Sequence, residues 1–183
     1  MKNIFAVSLF FLLTVYRFAH ADDANSGDGA GLRLLNRIDY SPLLTTSGQP
    51  TEAELGEVAS AGYDRVIFLA FTNHPKALNH EDDIVRGLGL HFVHVPVLWE
   101  SPSVADFDAF AAVMGIPSSD RTLVHCEVNF RASVFGFLYQ VIYEGVDVDE
   151  AMSLMHAIWI PNGTWERFIA RVLDQHGVRY EPL

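Results

Sequence analysis

One segment of the chain, residues 122–143, joins a short apolar run to a long apolar helical pattern through a tight loop. The run 122–125 has the composition of a buried strand, Cys126 follows it directly, and the helical pattern covers 132–143. A strand that enters a helix through a tight loop directs successive backbone N–H groups and a helix N-terminus at one point. The segment therefore predicts a strand–loop–helix unit with an anion site at its loop.

Two side chains of this loop suit nucleophilic chemistry on an anion. Cys126 lies where the backbone N–H groups are expected to converge, a setting that stabilises the thiolate, which is the reactive form of cysteine. Arg131 follows after four intervening residues, and its planar fork of donors matches a phosphate. The chain has one cysteine, so it can form no internal disulfide. The alternative to a reactive thiol is an ordinary buried cysteine at the end of a strand.

The run from His125 to Ser133 resembles the phosphate-binding loop of the cysteine-dependent protein tyrosine and dual-specificity phosphatases, usually written H-C-x-x-G-x-x-R-[ST]. The resemblance implies that Cys126 is the nucleophile, that Arg131 clamps the phosphate and that Ser133 assists release of the thiolate. It also implies that His125 orients the loop and supports the thiolate. The phosphate would be bound by Arg131 and by the intervening residues Glu127, Val128, Asn129 and Phe130.

The loop departs from the phosphatase pattern in two respects. Four residues, where the family has five, separate Cys126 from Arg131, and Asn129 stands near the usual glycine. Asparagine adopts left-handed backbone angles more readily than most residues, so the turn is still feasible. The shorter spacing resembles a bacterial phosphatase-like branch related to beta-lactamase-hydrolase-like proteins. It is also the loop length of rhodanese sulfurtransferases.

Phosphoryl transfer to a cysteine requires a proton for the leaving oxygen, and in the phosphatase family an aspartate on a separate loop supplies it. The loop 99–102 follows the strand that precedes the cysteine strand, and Glu100 lies within it. Asp106 is better explained as a helix-capping carboxylate and Asp108 as an exposed helix residue. Glu100 is therefore the predicted general acid, although the family uses aspartate.

No cofactor or metal is predicted. The histidines form no short ligand pair on a helix, and no glycine-rich nucleotide loop is present. Gln49 and Asn162 could line the pocket, but nothing in their spacing requires it. The formal net charge of −11 argues against nucleic acid as a partner, because that function requires a basic surface.

Strand-like and helix-like patterns alternate along the chain. Strands are predicted at 43–47, 65–70, 91–97 and 122–125. Helices are predicted after the capping pairs Thr51–Glu54 and Ser103–Asp106 and at 81–88, 132–143, 147–158 and 164–176. Residues 32–38 suggest a turn of helix. The alternation predicts a three-layer α/β fold with a central, mainly parallel sheet of about four to five strands flanked by helices.

The order of elements after residue 43 adds to the resemblance. Ser47-Gly48-Gln49-Pro50, a helix, Gly62-Tyr63 and a buried apolar strand follow one another, as at the opening of the same phosphatase-like branch. Together with the cysteine loop, the resemblance covers residues 43–143. It therefore implies a cysteine-phosphatase-like fold for most of the chain.

The N-terminal segment, residues 1–21, has the pattern of a secretory signal peptide. Lys2 precedes an apolar run at 4–15, and Ala19-His20-Ala21 matches a small-x-small cleavage site. The alternative is an uncleaved membrane anchor, but the apolar run is short for a membrane span, which needs about 20 residues. No later segment is long enough to span, so no stable membrane insertion is expected after cleavage. Residues 22–31 are predicted to be a disordered lead-in and 32–183 the phosphatase-like domain, in a periplasmic or secreted protein.

The leading hypothesis is an exported cysteine-dependent hydrolase that acts on phosphate monoesters through a cysteinyl-phosphate intermediate. Its partner would be a phosphorylated small molecule or protein, with phosphotyrosine among the candidates. One alternative is rhodanese-like sulfurtransfer or persulfide chemistry, because a tighter loop suits a sulfur atom on the cysteine. The other alternative is a catalytically silent anion-binding protein.

Overall fold

Five strands and six α-helices alternate along residues 31–116 and 119–180, which are the residues described by the structure, a computed structural model. The strands are β1 (Ile38–Ser41), β2 (Leu44–Ser47), β3 (Arg65–Phe68), β4 (His91–His94) and β5 (Thr122–His125). The helices are α1 (Glu52–Ser60), α2 (Glu81–Gly87), α3 (Val104–Met114), α4 (Phe130–Tyr139), α5 (Val148–His156) and α6 (Gly163–Gln175). A π-helical turn, Gln140–Glu144, extends α4.

The strands form one sheet in the order β1-β2-β5-β3-β4. The pairs β2–β5, β5–β3 and β3–β4 are parallel, and β1 is antiparallel to β2. The α/β fold with a mainly parallel five-stranded sheet is therefore confirmed. Because β5 is the central strand, the loop after it lies at the middle of the edge formed by the carboxyl ends of the parallel strands.

Helices cover both faces of the sheet, which explains why all four residues of each of β2, β3 and β5 are buried. On one face, Val66 of β3 and Leu123 of β5 belong to a buried cluster with residues of α1 and α2. On the other face, Ile67 and Val124 belong to a larger cluster with residues of α3, α4, α5 and α6. Burial of each large apolar side chain contributes about 1.5–3 kcal/mol, so the two clusters dominate the stability.

The two predicted capping pairs are present. Thr51 caps α1 and Ser103 caps α3, and in each case the side chain accepts the N–H of the third helical residue. The carboxylates of Glu54 and Asp106 reciprocate by accepting the N–H groups of the two cap residues. The capping role predicted for Asp106 is therefore confirmed.

The suggested turn of helix at residues 32–38 is wrong. No helix is present at 32–37, and β1 begins at Ile38. Asn36 adopts a left-handed conformation with φ 51°, and β1 then buries Ile38 and Tyr40 against the core. Pairing with β2 and burial of these two side chains outweigh the weak local preference for a helix.

The helix predicted at 132–143 begins and ends differently. α4 begins at Phe130, directly after the cysteine loop, and becomes π-helical after Tyr139. The side-chain amide of the buried Gln140 donates to the Tyr40 carbonyl at this transition, a tertiary contact that the helical pattern could not reveal.

The predicted signal peptide at 1–21 and all but the last residue of the lead-in at 22–31 lie outside the described residues. No helix among the described residues combines the length and the apolarity that a membrane crossing requires.

Candidate active site

Cys126 directly follows the central strand, at the edge where parallel α/β proteins bind ligands. Its side chain is 1% exposed, and its N–H donates to the Ser47 carbonyl at 3.3 Å. Alongside the loop, Gly48 pairs with Val128, and the Gln49 N–H donates to the Glu127 carbonyl at 3.2 Å. The segment after β2 therefore holds the first half of the cysteine loop in place.

Asn129 closes the loop in the left-handed conformation, with φ 72°, directly before α4. Its side-chain amide donates to the Asn36 carbonyl at 2.5 Å, and the Asn36 amide donates to the Val128 carbonyl at 3.0 Å. These reciprocal bonds fix the turn at Asn129, the residue that stands in place of the glycine of the phosphatase pattern. The part played by Asn36 could not be read from the sequence, because a single asparagine in a loop has no periodic pattern.

The N-terminus of α4 has no side-chain cap. Asn129 occupies the cap position without a side-chain bond to the helix, and the first helical bond runs from the Ser133 N–H to the Asn129 carbonyl at 2.9 Å. The N–H groups of the first turn therefore have no acceptor within the helix. Together with the helix dipole, they leave partial positive charge at the place where the strand–loop–helix pattern predicts an anion site.

Arg131 is buried in the first turn of α4 and is held from two sides. Its Nε donates to the Val97 carbonyl at 3.0 Å, and its guanidinium lies over the Trp99 indole, 5.3 Å from the ring centroid. Its Nη1 lies 3.5 Å from the Glu127 carboxylate. The fork is thus fixed in orientation, and one of its nitrogens already has an acidic neighbour.

A cavity of about 530 Å³ opens at this loop. It is lined by residues of the loops 71–75 and 98–101 together with Glu127 and Arg131. Glu100, the predicted general acid, is exposed and lines the same cavity as Arg131. The fold therefore brings these two predicted residues to one cavity from segments far apart in the sequence.

Glu127 lies between two basic side chains at the cavity. One oxygen of its carboxylate is 3.4 Å from His74 Nε2, and the other is 3.5 Å from Arg131 Nη1. His74 comes from a polar loop and was not predicted as a site residue. Because Glu127 already occupies part of the arginine fork, an incoming anion must compete with this carboxylate.

Ser133 and Phe130 lie in a hydrogen-bonded aromatic setting. The Ser133 hydroxyl donates to the Phe130 carbonyl at 3.1 Å and accepts from Trp159 Nε1 at 3.1 Å. Phe130 stacks on Trp159 with the ring centroids 4.8 Å apart. Trp99 extends this cluster at 5.6 Å from Trp159, which couples the Glu100 loop to the start of α4.

Two of the weaker candidates lie away from the cavity lining. Gln49 donates from its side-chain amide to Glu81 at 3.0 Å, behind the loop, and Asn162 is exposed before α6. Asp108 is exposed on α3, as predicted, with its carboxylate 3.7 Å from His176.

Glu81 was missed because an acid in the first turn of a helix is usually explained by the helix dipole. The structure buries it to 4% exposure, with Oε1 3.0 Å from Nε2 of the fully buried His125. The His125 ring also stacks on Phe68 at 4.7 Å.

Tyr40 supports α4 from the side of β1. Its hydroxyl donates to the Ser133 carbonyl at 2.7 Å, and burial raises the pKa of this phenol above its usual value of about 10.

Among the described residues, no group of His, Cys, Asp and Glu side chains is arranged to hold a metal ion.

No protein-family model and no curated protein matches the chain, whereas solved structures do. A candidate phosphatase of the DUF442 family from Shewanella putrefaciens CN-32 is 30% identical, with a TM-score of 0.71 over 81% of this chain and 97% of that chain. A candidate phosphatase from Neisseria meningitidis Z2491 is 20% identical, with a TM-score of 0.60 over 78% of this chain and 99% of that chain.

A kinase associated phosphatase with its catalytic-site cysteine replaced by serine is 12% identical, with a TM-score of 0.65 over 81% of this chain and 98% of that chain. At such low identity the likeness concerns the fold alone. The resemblance to cysteine-based protein tyrosine phosphatases that the sequence indicated is therefore confirmed at the level of the fold.

Proposed function

The chain belongs to the DUF442 family, among the phosphatases of the protein tyrosine and dual-specificity type, and we propose that it hydrolyses phosphate monoesters. In this proposal the protein is exported and the reaction passes through a cysteinyl-phosphate. The observation that carries the proposal is the uncapped N-terminus of α4 between Cys126 and Arg131. Nucleophile, backbone donors and arginine fork come from one segment of the chain, and Glu100 of a second loop lines the same cavity as Arg131.

In the first step the Cys126 thiolate attacks phosphorus, and the bond from phosphorus to the leaving oxygen breaks. Arg131 and the N–H groups at the start of α4 bind the non-bridging oxygens, where negative charge is concentrated. Glu100 gives its proton to the leaving oxygen. In the second step water attacks phosphorus and passes a proton to Glu100, and the phosphorus–sulfur bond breaks to return the thiolate.

Glu127 sets an expectation for the strength of phosphate binding. Its carboxylate shares Arg131 with the incoming oxyanion and repels a dianion at short range. The loop also has one backbone N–H fewer than the common phosphatase loop, and loss of one oxyanion donor can cost about 10²–10³ in rate. We therefore expect weak turnover of aryl phosphates and weak inhibition by phosphate and vanadate.

The same two features favour a second candidate function. Four residues between Cys126 and Arg131 leave less room than the common phosphatase loop, and Glu127 offsets part of the positive charge of Arg131. A sulfur atom on Cys126 needs less room and less positive charge than a phosphoryl group does. The reaction class that this predicts begins with attack of the Cys126 thiolate on the outer sulfur of thiosulfate, which breaks the sulfur–sulfur bond and releases sulfite. Cyanide then takes the outer sulfur of the persulfide as thiocyanate, which returns the thiolate. A silent anion-binding protein would carry out neither reaction.

One set of assays separates the three functions. The protein is incubated with an activated aryl phosphate and, separately, with thiosulfate and cyanide, and each reaction is repeated with Cys126→Ser. The serine hydroxyl stays protonated where the thiol ionises, so the phosphatase proposal predicts aryl phosphate turnover that Cys126→Ser abolishes. Sulfur transfer with no phosphatase turnover would replace the proposal, and neither activity would indicate a binding protein.

Export belongs to the same proposal and rests on the sequence of residues 1–21. It predicts that the protein recovered from outside the cytoplasm starts after Ala21. Intact mass measurement of the protein from that fraction tests this, and a species that still begins at Met1 would contradict it.

A further inference from the structure

Behind the cysteine loop lies a buried polar cluster that the proposed reaction does not use. It consists of Glu81, His125 and Gln49, at the end of the sheet that carries Cys126. Glu81 is 4% exposed and His125 is fully buried. Glu81 Oε1 lies 3.0 Å from His125 Nε2 and accepts a hydrogen bond of 3.0 Å from Gln49 Nε2.

Both partners of Glu81 belong to segments that hold the cysteine loop. His125 is the residue before Cys126, and its carbonyl accepts from the Leu69 N–H at 2.9 Å. The backbone N–H of Gln49 donates to the carbonyl of Glu127, the residue after Cys126. One carboxylate oxygen of Glu81 therefore contacts both segments that hold the cysteine loop: one leads into the nucleophile, and the other binds the residue after it.

Packing alone does not explain an acid at this place. A carboxylate removed from water is costly unless it is paired, and a buried ion pair stabilises a fold no better than apolar residues of the same volume. Both ring nitrogens of His125 and the Glu81 Oε2 are also buried without a hydrogen-bond partner among the described residues, so the 3.0 Å contact of Glu81 with Nε2 is an ion-pair contact and not an aligned hydrogen bond. An acid buried at such expense, directly behind a nucleophile, indicates a role in the chemistry.

We propose that Glu81 is a positioning residue that acts on Cys126 through His125: its buried carboxylate, 3.0 Å from the imidazole, holds that ring at the end of the strand that carries the nucleophile and favours positive charge on it. His125 is the residue directly before Cys126, and a positive charge near a cysteine favours the ionised form of the thiol. The stacked Phe68 ring prevents the imidazole from tilting. The proposal rests on the assignment of Cys126 as the nucleophile.

The test compares Glu81→Gln, which keeps the size of the side chain and removes its charge, with Asp82→Asn. Asp82 is the next residue of α2, its side chain is 46% exposed and it pairs with Arg86 at 2.8 Å, so its replacement removes the same charge without touching His125. The rate of Cys126 alkylation by iodoacetamide at pH 6 reports the thiolate directly. We expect about a tenfold fall for Glu81→Gln and no change for Asp82→Asn.

The folded state of each variant is checked by circular dichroism and urea unfolding before the rates are compared. An unfolded chain would expose Cys126, which is 1% exposed in the folded protein, but would also lose the setting that stabilises its thiolate. Should Glu81→Gln not fold, Glu81→Asp keeps the charge but withdraws it from the ring, and a fall below the wild-type rate is then expected. An unchanged rate in the folded variant overturns the proposal.

Two further measurements separate a positioning role from a structural one. In turnover of an aryl phosphate, Glu81→Gln should lower kcat about tenfold and leave KM within about twofold, because the carboxylate does not touch the substrate. In a His125→Asn background the same substitution should have no further effect on alkylation. Additive losses in the double variant would overturn the route through His125.

Alkylation requires no phosphate chemistry, which keeps the two proposals distinguishable. If the wild-type protein hydrolyses no phosphate ester and Glu81→Gln still slows alkylation, the phosphatase proposal fails and the role of Glu81 stands. If phosphate turnover is present and Glu81→Gln changes neither alkylation nor kcat, the role of Glu81 fails and the phosphatase proposal stands.

Discussion

One cavity is lined by the fixed cation Arg131 and by two carboxylates, Glu127 of the cysteine loop and Glu100 of the loop 99–102. Arg131 is held by Val97 and Trp99, Glu100 faces the same cavity, and Glu127 lies next to the arginine fork. These residues carry opposite consequences for an anionic substrate. In the proposed mechanism Glu100 would supply a proton for the leaving group, whereas Glu127 opposes the negative charge that Arg131 attracts.

Replacing Glu100 tests the acid role. Glu100→Gln should slow the hydrolysis of alkyl phosphates by about 10²–10⁴-fold and that of activated aryl phosphates much less, because an activated leaving group needs little protonation. Steady-state kcat/KM for the two classes of ester measures the difference. An equal loss for both classes would remove Glu100 from this role.

Replacing Glu127 tests the competition for Arg131. Glu127→Gln should strengthen inhibition by phosphate about 3- to 10-fold, because a negative charge 3.5 Å from the arginine fork is removed at a partly exposed site. Asp108→Asn, which removes a carboxylate that faces His176 on α3, is the matched control and should leave the inhibition constant unchanged. Equal inhibition constants for Glu127→Gln and the wild type would contradict the competition.

At the scale of elements, the β1–β2 hairpin lies directly against α4 and supports the start of the site. Gly136 makes this approach possible, because a Cβ there would overlap the Tyr40 ring and lie 2.9 Å from Thr46 Cγ2. Tyr40 in turn donates to the Ser133 carbonyl in the first turns of the helix. The glycine in the middle of α4 is therefore explained by close packing and not by backbone flexibility.

Gly136→Ala should lower the free energy of unfolding by about 1–3 kcal/mol, although alanine is the better helix former. Gly56→Ala in α1 is the matched control: a Cβ there meets nothing within 4 Å, so the substitution should be neutral or stabilise by up to about 1 kcal/mol. Urea unfolding of the two variants measures both effects. Equal stabilisation by the two alanines would contradict the close packing.

Local signals in the sequence predicted most of the elements correctly. The capping pairs of α1 and α3, the apolar strands and the acidic start of α5 at Asp147 are short-range patterns, and each appears where it was expected. The errors concern β1, the beginning and end of α4, and the ends of two strands: β3 ends at Phe68 and β4 at His94, whereas the predictions extended to 70 and 97. Ile38 and Tyr40 of β1 become buried through contacts with the core, such as the contact of Tyr40 with Ser133 of α4, 93 residues further along the chain, so no short-range pattern marks them.

The sequence predicted the residues of the contiguous loop motif but not the residues that other segments contribute to the site. Cys126, Arg131 and Asn129 belong to one contiguous motif, and the structure places them at one loop. Asn36, His74 and Glu81 reach the same region from other segments, and each is a single polar residue in a loop or at a helix start. Only the topology of the sheet brings them together, so their contribution required the folded structure.

At the scale of the whole molecule, the pH dependence of stability provides a test of the packing at β1. Burial raises the pKa of the Tyr40 phenol, so the folded protein retains this proton at pH values where the unfolded chain has lost it. The resulting contribution is complete below the unfolded pKa of about 10 and is lost as the pH rises above it.

The free energy of unfolding should therefore fall above pH about 10, with a slope of up to about 1.4 kcal/mol per pH unit from this group. In Tyr40→Phe the slope should be smaller, while the stability at neutral pH falls through loss of the bond to the Ser133 carbonyl. Urea unfolding between pH 8 and about 11 measures both changes. Parallel pH profiles for the two proteins would show that Tyr40 is not the group responsible.

Hydrolysis through a cysteinyl-phosphate requires that Cys126 forms a covalent bond to phosphorus. To detect this bond, the protein is mixed rapidly with an activated aryl phosphate, the reaction is quenched before the steady state, and both the released phenol and the mass of the peptide that contains Cys126 are followed. We expect a burst of phenol that approaches one equivalent of enzyme and a phosphoryl group on that peptide, both absent in Cys126→Ser. Steady phenol release with no phosphoryl group on the peptide, or an unchanged burst in Cys126→Ser, would show that the reaction does not pass through this bond.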